Sequence, residues 1–580
     1  MAWLPSVKTS DRADQFLQRC FEMVPGLLTW GTFLLLIILS LVHPVWVAIF
    51  VIGYNVHWLL RVIYFSVFTL IAYRRVRSER GTDWIERCQG VSGDLAGYRK
   101  RIVSQRGRLR ERYLKLPSAA ERLPAKNVLR SVDRHLQEVD EILRSKTRVW
   151  DWSTIYHLVI LPTFTEDLSI LRESLQALAR SRYPKNKVFA VIAFEEREGS
   201  RAHEKAAALT QEFSDQFLIL LTTFHPDGLT GESRVKGANL TWAAKEARGW
   251  IDRLGLPYDH VIVSSLDADT CVDPGYLGCL TYNYIIRPER VRRSYQPIPM
   301  YHNNIWDAPC FARIVANSTS FWHMVQSVRP DLMITFSSHA MSFETLVRVG
   351  YWPVDVVSDD SVIFFSGYFY YEGDYQVIPL YVYVSMDANL ANNYVRTFIN
   401  QYKQMRRWAW GIEKFPLLMR GFLRHRRTSF RGGKLVHLFR LLEGNYSWAT
   451  SPFIIGLLGW LPLWIGGSEF HQTVLAYNLP VATRILMTLA LSGLAVSAWI
   501  CHALLPPRPP AVGQWRILTM ILQWILVPFL YLILVGLPAL DAQTRLMFGK
   551  YLAFWVTEKS RRGADPERFP VYPEGAAKGR

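Results

Sequence analysis

The sequence predicts an α/β domain, a doubly wound and mostly parallel sheet, inserted between bundles of transmembrane helices. Three observations predict it. Half of the 580 residues are hydrophobic, and the longest apolar runs gather towards the two ends of the chain. From Tyr156 onward, short apolar strands alternate with stretches of helical periodicity. Arg74-Arg75-Val76-Arg77 closes the second apolar run, and basic flanks stay cytoplasmic, which puts the middle of the chain on that side.

Residues 1–24 read as an interfacial segment of mixed charge. Within 25–73, two runs at 26–42 and 45–73 are separated by His43-Pro44. Each is long enough to cross a hydrocarbon core of about 30 Å, so they form a two-span hairpin. No small-residue cleavage site lies between them, which argues against a cleavable signal.

Residues 74–150 form a basic helical linker with 20 Lys or Arg against 10 Asp or Glu. Val128, Leu129, Val132, Leu136, Val139 and Ile142 repeat at helical spacing, and Pro117 and Pro124 mark a break between helices. Beside a predicted span, this charge suits anionic lipid headgroups, at about 1 kcal/mol per basic residue. No nucleic-acid module accompanies the net charge of +18, so nucleic acid is not an expected partner.

The domain itself spans 151–400. Leu158-Val159-Ile160-Leu161 is its first strand, and Leu168, Leu171, Leu175 and Leu178 mark a helix over 167–181. A second strand covers 188–194 and ends at Glu195-Glu196, and a third covers 260–266. Such sheets bind ligands at the carboxyl ends of their strands. Residues 401–435 then read as interfacial helices and 436–545 as C-terminal spans, with apolar runs at 449–466, 480–504 and 517–540. Residues 546–580 form the tail. Six scattered cysteines without paired or metal-ligand spacing suggest a reduced compartment and no structural zinc.

Three polar islands carry the chemistry. Asp267 and Asp269 follow the third strand, so two carboxylates project from a rigid edge and can hold Mg²⁺ or Mn²⁺ together with diphosphate oxygens. Asp359-Asp360 lies between apolar runs; it is either a solvated turn or a general base, because a buried unpaired carboxylate is costly. In the third island, helical spacing sets Gln404 and Trp408 on one face with Arg407 beside them. Indole can support a sugar ring and guanidinium can grip phosphate. Membrane anchoring accounts equally for Trp408, Trp410 and Arg406.

These islands, in this order and between membrane spans, resemble the processive family-2 glycosyltransferases, the cellulose synthase and hyaluronan synthase group. The resemblance runs from about Tyr156 to Gly411 and implies a GT-A-like catalytic domain. Leu161-Pro162-Thr163-Phe164-Thr165-Glu166 resembles the family's opening strand and turn, and Arg234-Val235-Lys236-Gly237-Ala238-Asn239-Leu240 its nucleotide segment. It implies that Thr163, Glu166, Glu195, Lys236, Asp267, Asp269 and Arg407 bind the nucleotide sugar, with Asp267 and Asp269 also on the metal. Asp360 would be the catalytic base, and Asp359, Gln404, Trp408, Ser338 and His339 would meet the acceptor. Ser358 and Asp359 stand where the family usually has Thr-Glu, Met405 where it has Gln or Arg, and Glu195-Glu196 where it shows an Asp, leaving UDP- and GDP-sugars both open.

The resemblance further implies an inverting enzyme of a bacterial inner membrane that polymerises sugars and translocates the polysaccharide. Transfer of one sugar to a polyprenyl phosphate or glycolipid is the alternative. Phe554, Val556, Thr557 and Lys559 resemble a gating loop that must be cytoplasmic, whereas three C-terminal spans would put it outside. One of the three runs is therefore expected to be interfacial or re-entrant, unless a further span has been missed. Arg61, late in the second span, is expected either to reach the headgroups or to face a polysaccharide path.

Overall fold

The computed structural model describes residues 11–424, 433–510 and 512–552, with Leu4 and Arg561. The predicted hairpin forms as two long helices, α1 (Arg12–Val42) and α2 (Pro44–Glu79). Pro44 occupies the first turn of α2, where its missing N–H costs nothing. Both helices overrun the expected limits of 25–73. Polar contacts hold the extra turns: Glu22 of α1 accepts from Gln18 at 2.8 Å and pairs with Arg19, and Glu79 of α2 pairs with Arg87 and Arg134.

The basic linker folds into α3 (Trp84–Ser92), α4 (Leu95–Lys115) and α5 (Ala119–Ser145). Pro117 lies between helices, but Pro124 is within α5. Arg87 and Arg134 both reach Glu79, at 3.2 and 2.6 Å, which ties the linker to the end of α2. Tyr98 and Tyr282 bond opposite nitrogens of the buried His135.

The α/β domain contains an eight-stranded sheet among the described residues. Its strands are β1 (Tyr156–Pro162), β2 (Val188–Glu195), β3 (Ile219–His225), β4 (Val261–Ser265), β5 (Cys271–Val272), β6 (Arg293–Met300), β7 (His339–Ser342) and β8 (Gln376–Ser385), in the order β3-β2-β1-β4-β7-β6-β8-β5. The neighbours β1 to β4 are parallel, as are β6 and β8. β7 runs antiparallel to both β4 and β6, and β5 is antiparallel to β8. The sheet is therefore mixed, with four parallel and three antiparallel pairings, and six strands share one direction. The consequence for the site is large: those six carboxyl ends lie along one edge.

Helices α6 (Leu168–Ala179), α7 (Ser200–Phe213), α8 (Lys236–Arg253), α9 (Tyr276–Ile285), α10 (Cys310–Ser327), α11 (Phe343–Val349), α12 (Asp359–Tyr370), α13 (Tyr394–Ala409) and α14 (Lys414–Arg424) complete this part. One core packs Leu171, Leu175 and Leu178 of α6 beneath Val159, Leu161 and Ile192. The other packs Leu240, Ala243 and Ala247 of α8 against Leu158, Ile160 and Val263. Alternating strand residues thus feed two cores on opposite faces, the layering expected of a doubly wound sheet.

Among the described residues, four helices are long and apolar enough to cross a membrane, and a fifth span arises if α15 (Gly433–Gly456) and the following Leu458–Ile465, bent by 47°, act together. This bent pair leads away from the domain. His437 packs on Phe364 and Phe365, whereas Gly466 sits against Pro44 at the far hairpin turn. Helix Val474–Leu504 leads back, from Leu479 beside Val47 to Ile500 beside Ala72 and Tyr73. The last segment, Trp515–Met547, behaves differently: both of its ends touch the domain side. Arg516 donates to the Trp306 carbonyl at 3.0 Å, and Arg19 at the start of α1 donates to the Met547 carbonyl at 2.9 Å. Between these ends, Tyr531 meets Ser451 and Gly536 packs on Pro452.

The Arg61 side chain is 36% exposed and does not stand alone. It pairs with Glu443 of α15 and lies over the Trp58 ring.

Candidate active site

Four of the six strands that share the common direction deliver a functional candidate at their carboxyl ends. β1 leads to Thr163, β2 ends at Glu195, β4 leads to Asp267 and Asp269, and β8 leads to Asp387. The antiparallel β7 begins at the same edge, with His339 opposite Ser265 of β4.

Lys236 lies at the centre. It is the first residue of α8, and its Nζ donates to Asp267 Oδ1 at 2.7 Å and to Asp360 at 3.0 and 3.2 Å. Burial opposes its charge, but Asp267, Asp360 and Asp359 together outweigh burial and raise its pKa. Gly237 permits this approach: a Cβ there would stand 2.1 Å from the Pro353 carbonyl oxygen and 2.9 Å from Asp359 Cβ.

Asp267 keeps part of its surface open and also accepts from Ser337 Oγ at 2.6 Å. Asp269 has no exposed surface; its Oδ2 accepts the Asp387 amide at 2.9 Å. The two carboxylates are hard oxygen donors of the kind that Mg²⁺ and Mn²⁺ take. Among the described residues no group of three or more His, Cys, Asp or Glu is placed to hold a metal, so a cation here would need oxygens from a substrate.

The acidic pair opens α12. Asp360 is partly exposed between Lys236 and His339, whose Nδ1 lies 3.7 Å from it. Asp359 is buried, and its Oδ2 has no hydrogen-bond partner among the described residues. Burial, then the charge of Asp360, drives the Asp359 carboxyl well above the ordinary range, which favours its protonated form. The two acids are therefore unlike: one faces Lys236 and the cleft, the other is enclosed.

Arg407 joins the cluster from α13. Burial depresses its pKa, while Asp267, Asp360, Asp359 and Tyr301 act in the opposite sense. A guanidinium stays protonated even so. The third sequence island thereby meets the first two. Gln404 is buried and accepts from Gln401 at 2.9 Å, and Trp408 packs in a cluster with Met405, Trp306 and Trp448. Trp410 is buried as well, so it is not a lipid-facing anchor, and Arg406 pairs with Asp541 at 2.8 Å.

Ser338 and His339, expected to meet the acceptor, have no exposed surface. His339 Nδ1 meets the Phe336 carbonyl at 3.0 Å and Trp352 Nε1 donates to its Nε2, so the ring is a fixed, neutral prop beside Asp360. Burial lowers its pKa in keeping with that state. Ser338 adopts a left-handed φ of 64°, uncommon for a residue with a side chain, and lies beside Thr270.

At the outer end of the edge, Glu166 Oε2 accepts from Thr163 Oγ1 and the Phe164 amide at 2.9 and 2.7 Å, which shapes the turn after β1. Glu195 pairs with Arg197, whose guanidinium covers the Phe164 ring at 3.9 Å. Burial raises the Glu195 pKa against that pairing.

Several contacting residues were not read from the sequence. Asp387 accepts from Asn303 at 2.9 Å and from Arg561 at 2.7 Å, and Asn303 also holds the Asp269 carbonyl. The signal available for Asp387 was its place just beyond an apolar strand, the same signal that marked Asp267. Phe554, Val556, Thr557 and Lys559 lie outside the described residues.

No family profile and no curated protein matches the chain. Solved structures do. A mannosyltransferase from Pyrobaculum calidifontis in complex with GDP-Man and Mn²⁺ is 17% identical over 70% of this chain and 99% of that one, with a TM-score of 0.33. The TarS 1-349 fragment from S. aureus is 12% identical over 68% and 93%, with a TM-score of 0.29. Its complex with UDP-GlcNAc is 13% identical over 59% and 90%, with a TM-score of 0.28.

Proposed function

We propose that the chain is a membrane-embedded, inverting glycosyltransferase that takes sugar from a UDP- or GDP-sugar and extends a polysaccharide. The convergence of Lys236, Asp267, Asp360 and Arg407 on one cleft carries this reading. Two fixed cations beside two accessible carboxylates suit a substrate with a diphosphate and a hydroxyl that must lose a proton.

Asp360 accepts the proton of the acceptor hydroxyl as its oxygen attacks the anomeric carbon. The new carbon–oxygen bond forms as the bond to the diphosphate breaks, and the departing electron pair stays on the diphosphate. Lys236 and Arg407 neutralise that developing charge from fixed positions, so little reorganisation is needed during transfer. Asp267 and Asp269 would hold Mg²⁺ or Mn²⁺, which when bound adds Lewis-acid stabilisation of the same oxygens. Thr163, Glu166 and Glu195 frame the nucleotide end. Asp359, kept neutral, lines the inner wall, while Gln404 and Trp408 support the acceptor side from α13.

Extension rather than single transfer is supported by the bundle next to the cleft. The Arg61–Glu443 pair and the contact of Thr32 with Tyr446 at 2.9 Å supply polar groups between helices that are otherwise apolar. Both ends of Trp515–Met547 meet the domain, which supports a re-entrant last segment and a cytoplasmic position for the residues that resemble a gating loop. The GDP-Man and UDP-GlcNAc of the two solved neighbours are the first donors to try.

The test is to incubate membranes carrying the protein with radiolabelled nucleotide sugars and Mn²⁺ or Mg²⁺, and to size the products. Long products support extension; a single added sugar supports transfer to a lipid acceptor; no transfer from any donor overturns the enzyme.

A further inference from the structure

Asp359 and Asp360 begin a helix, and a helix start leaves backbone N–H groups without intrahelical partners. Serine before such a start usually caps it by accepting from the next turn. Ser358 does not: it makes no side-chain cap. Its amide and its hydroxyl both donate instead to Glu413 Oε1, each at 2.8 Å. The other carboxylate oxygen, Glu413 Oε2, accepts Trp410 Nε1 at 2.7 Å. The neighbouring Lys414 donates Nζ to Ser361 Oγ at 2.8 Å. Two consecutive residues thus grasp the positions on either side of the acidic pair.

Glu413 closes the short turn (Trp410–Glu413) that follows α13, the helix that brings Arg407 to the cleft, and Lys414 opens α14. α12 and α13 belong to separate parts of the chain, and between Glu413 and α12 the bonds are local and polar. We propose that Glu413 is a positioning residue: it caps α12 from outside and locks Asp360 in register with Arg407. This rests on the glycosyltransfer reading above. The bonds of Glu413 run to Ser358 and Trp410, so it acts through Ser358. Both of its oxygens accept, two donors on one and one on the other, so the carboxylate has a defined orientation. Lys414 adds a second hold whose loss leaves the first intact.

The experiment compares E413A and E413Q with the unaltered protein in membranes. Turnover, donor dissociation constant, melting temperature and amide exchange over residues 358–362 are measured together. In E413A, turnover should fall by about 100-fold, the cost of misplacing a reacting group by about 1 Å. Donor affinity should stay within about threefold, and exchange at 358–362 should rise. E413Q keeps one carbonyl oxygen that can accept both Ser358 donors and gives up only the Trp410 bond, so it should recover most of the turnover, which a requirement for negative charge at the cleft would not allow. Unchanged turnover and exchange in E413A overturn the proposal, as does a parallel loss of donor binding and melting temperature, which marks a merely structural role. Failure of the unaltered protein to transfer any sugar, with 358–362 still protected, overturns the enzymatic reading instead.

Discussion

Lys236 Nζ stands 3.0 Å from Asp360 Oδ1 while also holding Asp267 at 2.7 Å, so one ammonium joins the acid expected to take a proton to the acid expected to face the diphosphate. Donor and acceptor halves of the cleft are thereby electrostatically coupled before any substrate arrives. A diphosphate entering beside Asp267 would compete for the same ammonium, and the hold on Asp360 would loosen as the donor binds.

Replacing Asp360 with Asn removes the proton acceptor but keeps size and most hydrogen bonding. Turnover should fall by about 100- to 10,000-fold, the usual contribution of a positioned base. Binding of nucleoside diphosphate, followed by calorimetry, should be retained. Undiminished polymer synthesis in this variant would remove Asp360 from its role.

Asn at Asp267 or at Asp269 should weaken Mn²⁺ binding in the presence of nucleoside diphosphate by at least about 10-fold, since even groups behind the ligands cost that much in other metal sites. Electron paramagnetic resonance of Mn²⁺ reads this without turnover. Equal Mn²⁺ affinity in both variants would exclude the pair as ligands.

Gly237→Ala tests the close packing under the acidic pair. The added methyl would meet the Pro353 carbonyl and Asp359 Cβ, and overpacking of this kind costs about 1–3 kcal/mol. A lower melting temperature with loss of transfer is expected, because Lys236 and Asp359 must move together. An unaffected variant would mean that this junction yields easily.

Stability should decline in mild acid. Burial holds the His157 and His323 imidazoles down, each to about 3, far below the value near 6.5 of an unfolded histidine. Depressed folded values mean that the unfolded chain binds more protons in acid, so this stability is present above pH 6.5 and is lost as pH falls towards 3. Between pH 6.5 and 5 each histidine should remove about 2 kcal/mol. Melting curves should show His157→Gln and His323→Gln variants with shallower acid dependence; identical slopes would defeat the assignment.

The strands β1, β2 and β4 were legible because they are central and buried on both faces, which makes them continuous apolar runs. β3 was missed: it is the last strand at one side of the sheet, half-buried, and carries Thr222-Thr223. β6 was hidden by Pro297 and Pro299, which ordinarily argue against a strand; its ladder is irregular at Gln296/Ile298, and that irregularity accommodates them. Asp267 and Asp269 could be found because a strand end and two acids are local features. Asp387 carried the same strand-end signal, whereas Asn303 and Glu413 could not be assigned, because nothing near them in the chain names the partners they meet.

Composition and periodicity by themselves determined the helical hairpin, the wound sheet and the three polar islands, since burying apolar faces is a demand each segment makes of its own residues. Packing alone decided that β7 runs against its neighbours, that Lys236 bridges two islands, that His339 is a buried prop and that both ends of the final helical segment meet the domain side. Those outcomes depend on which distant surfaces exclude water together, and that choice is made only when the whole chain has closed.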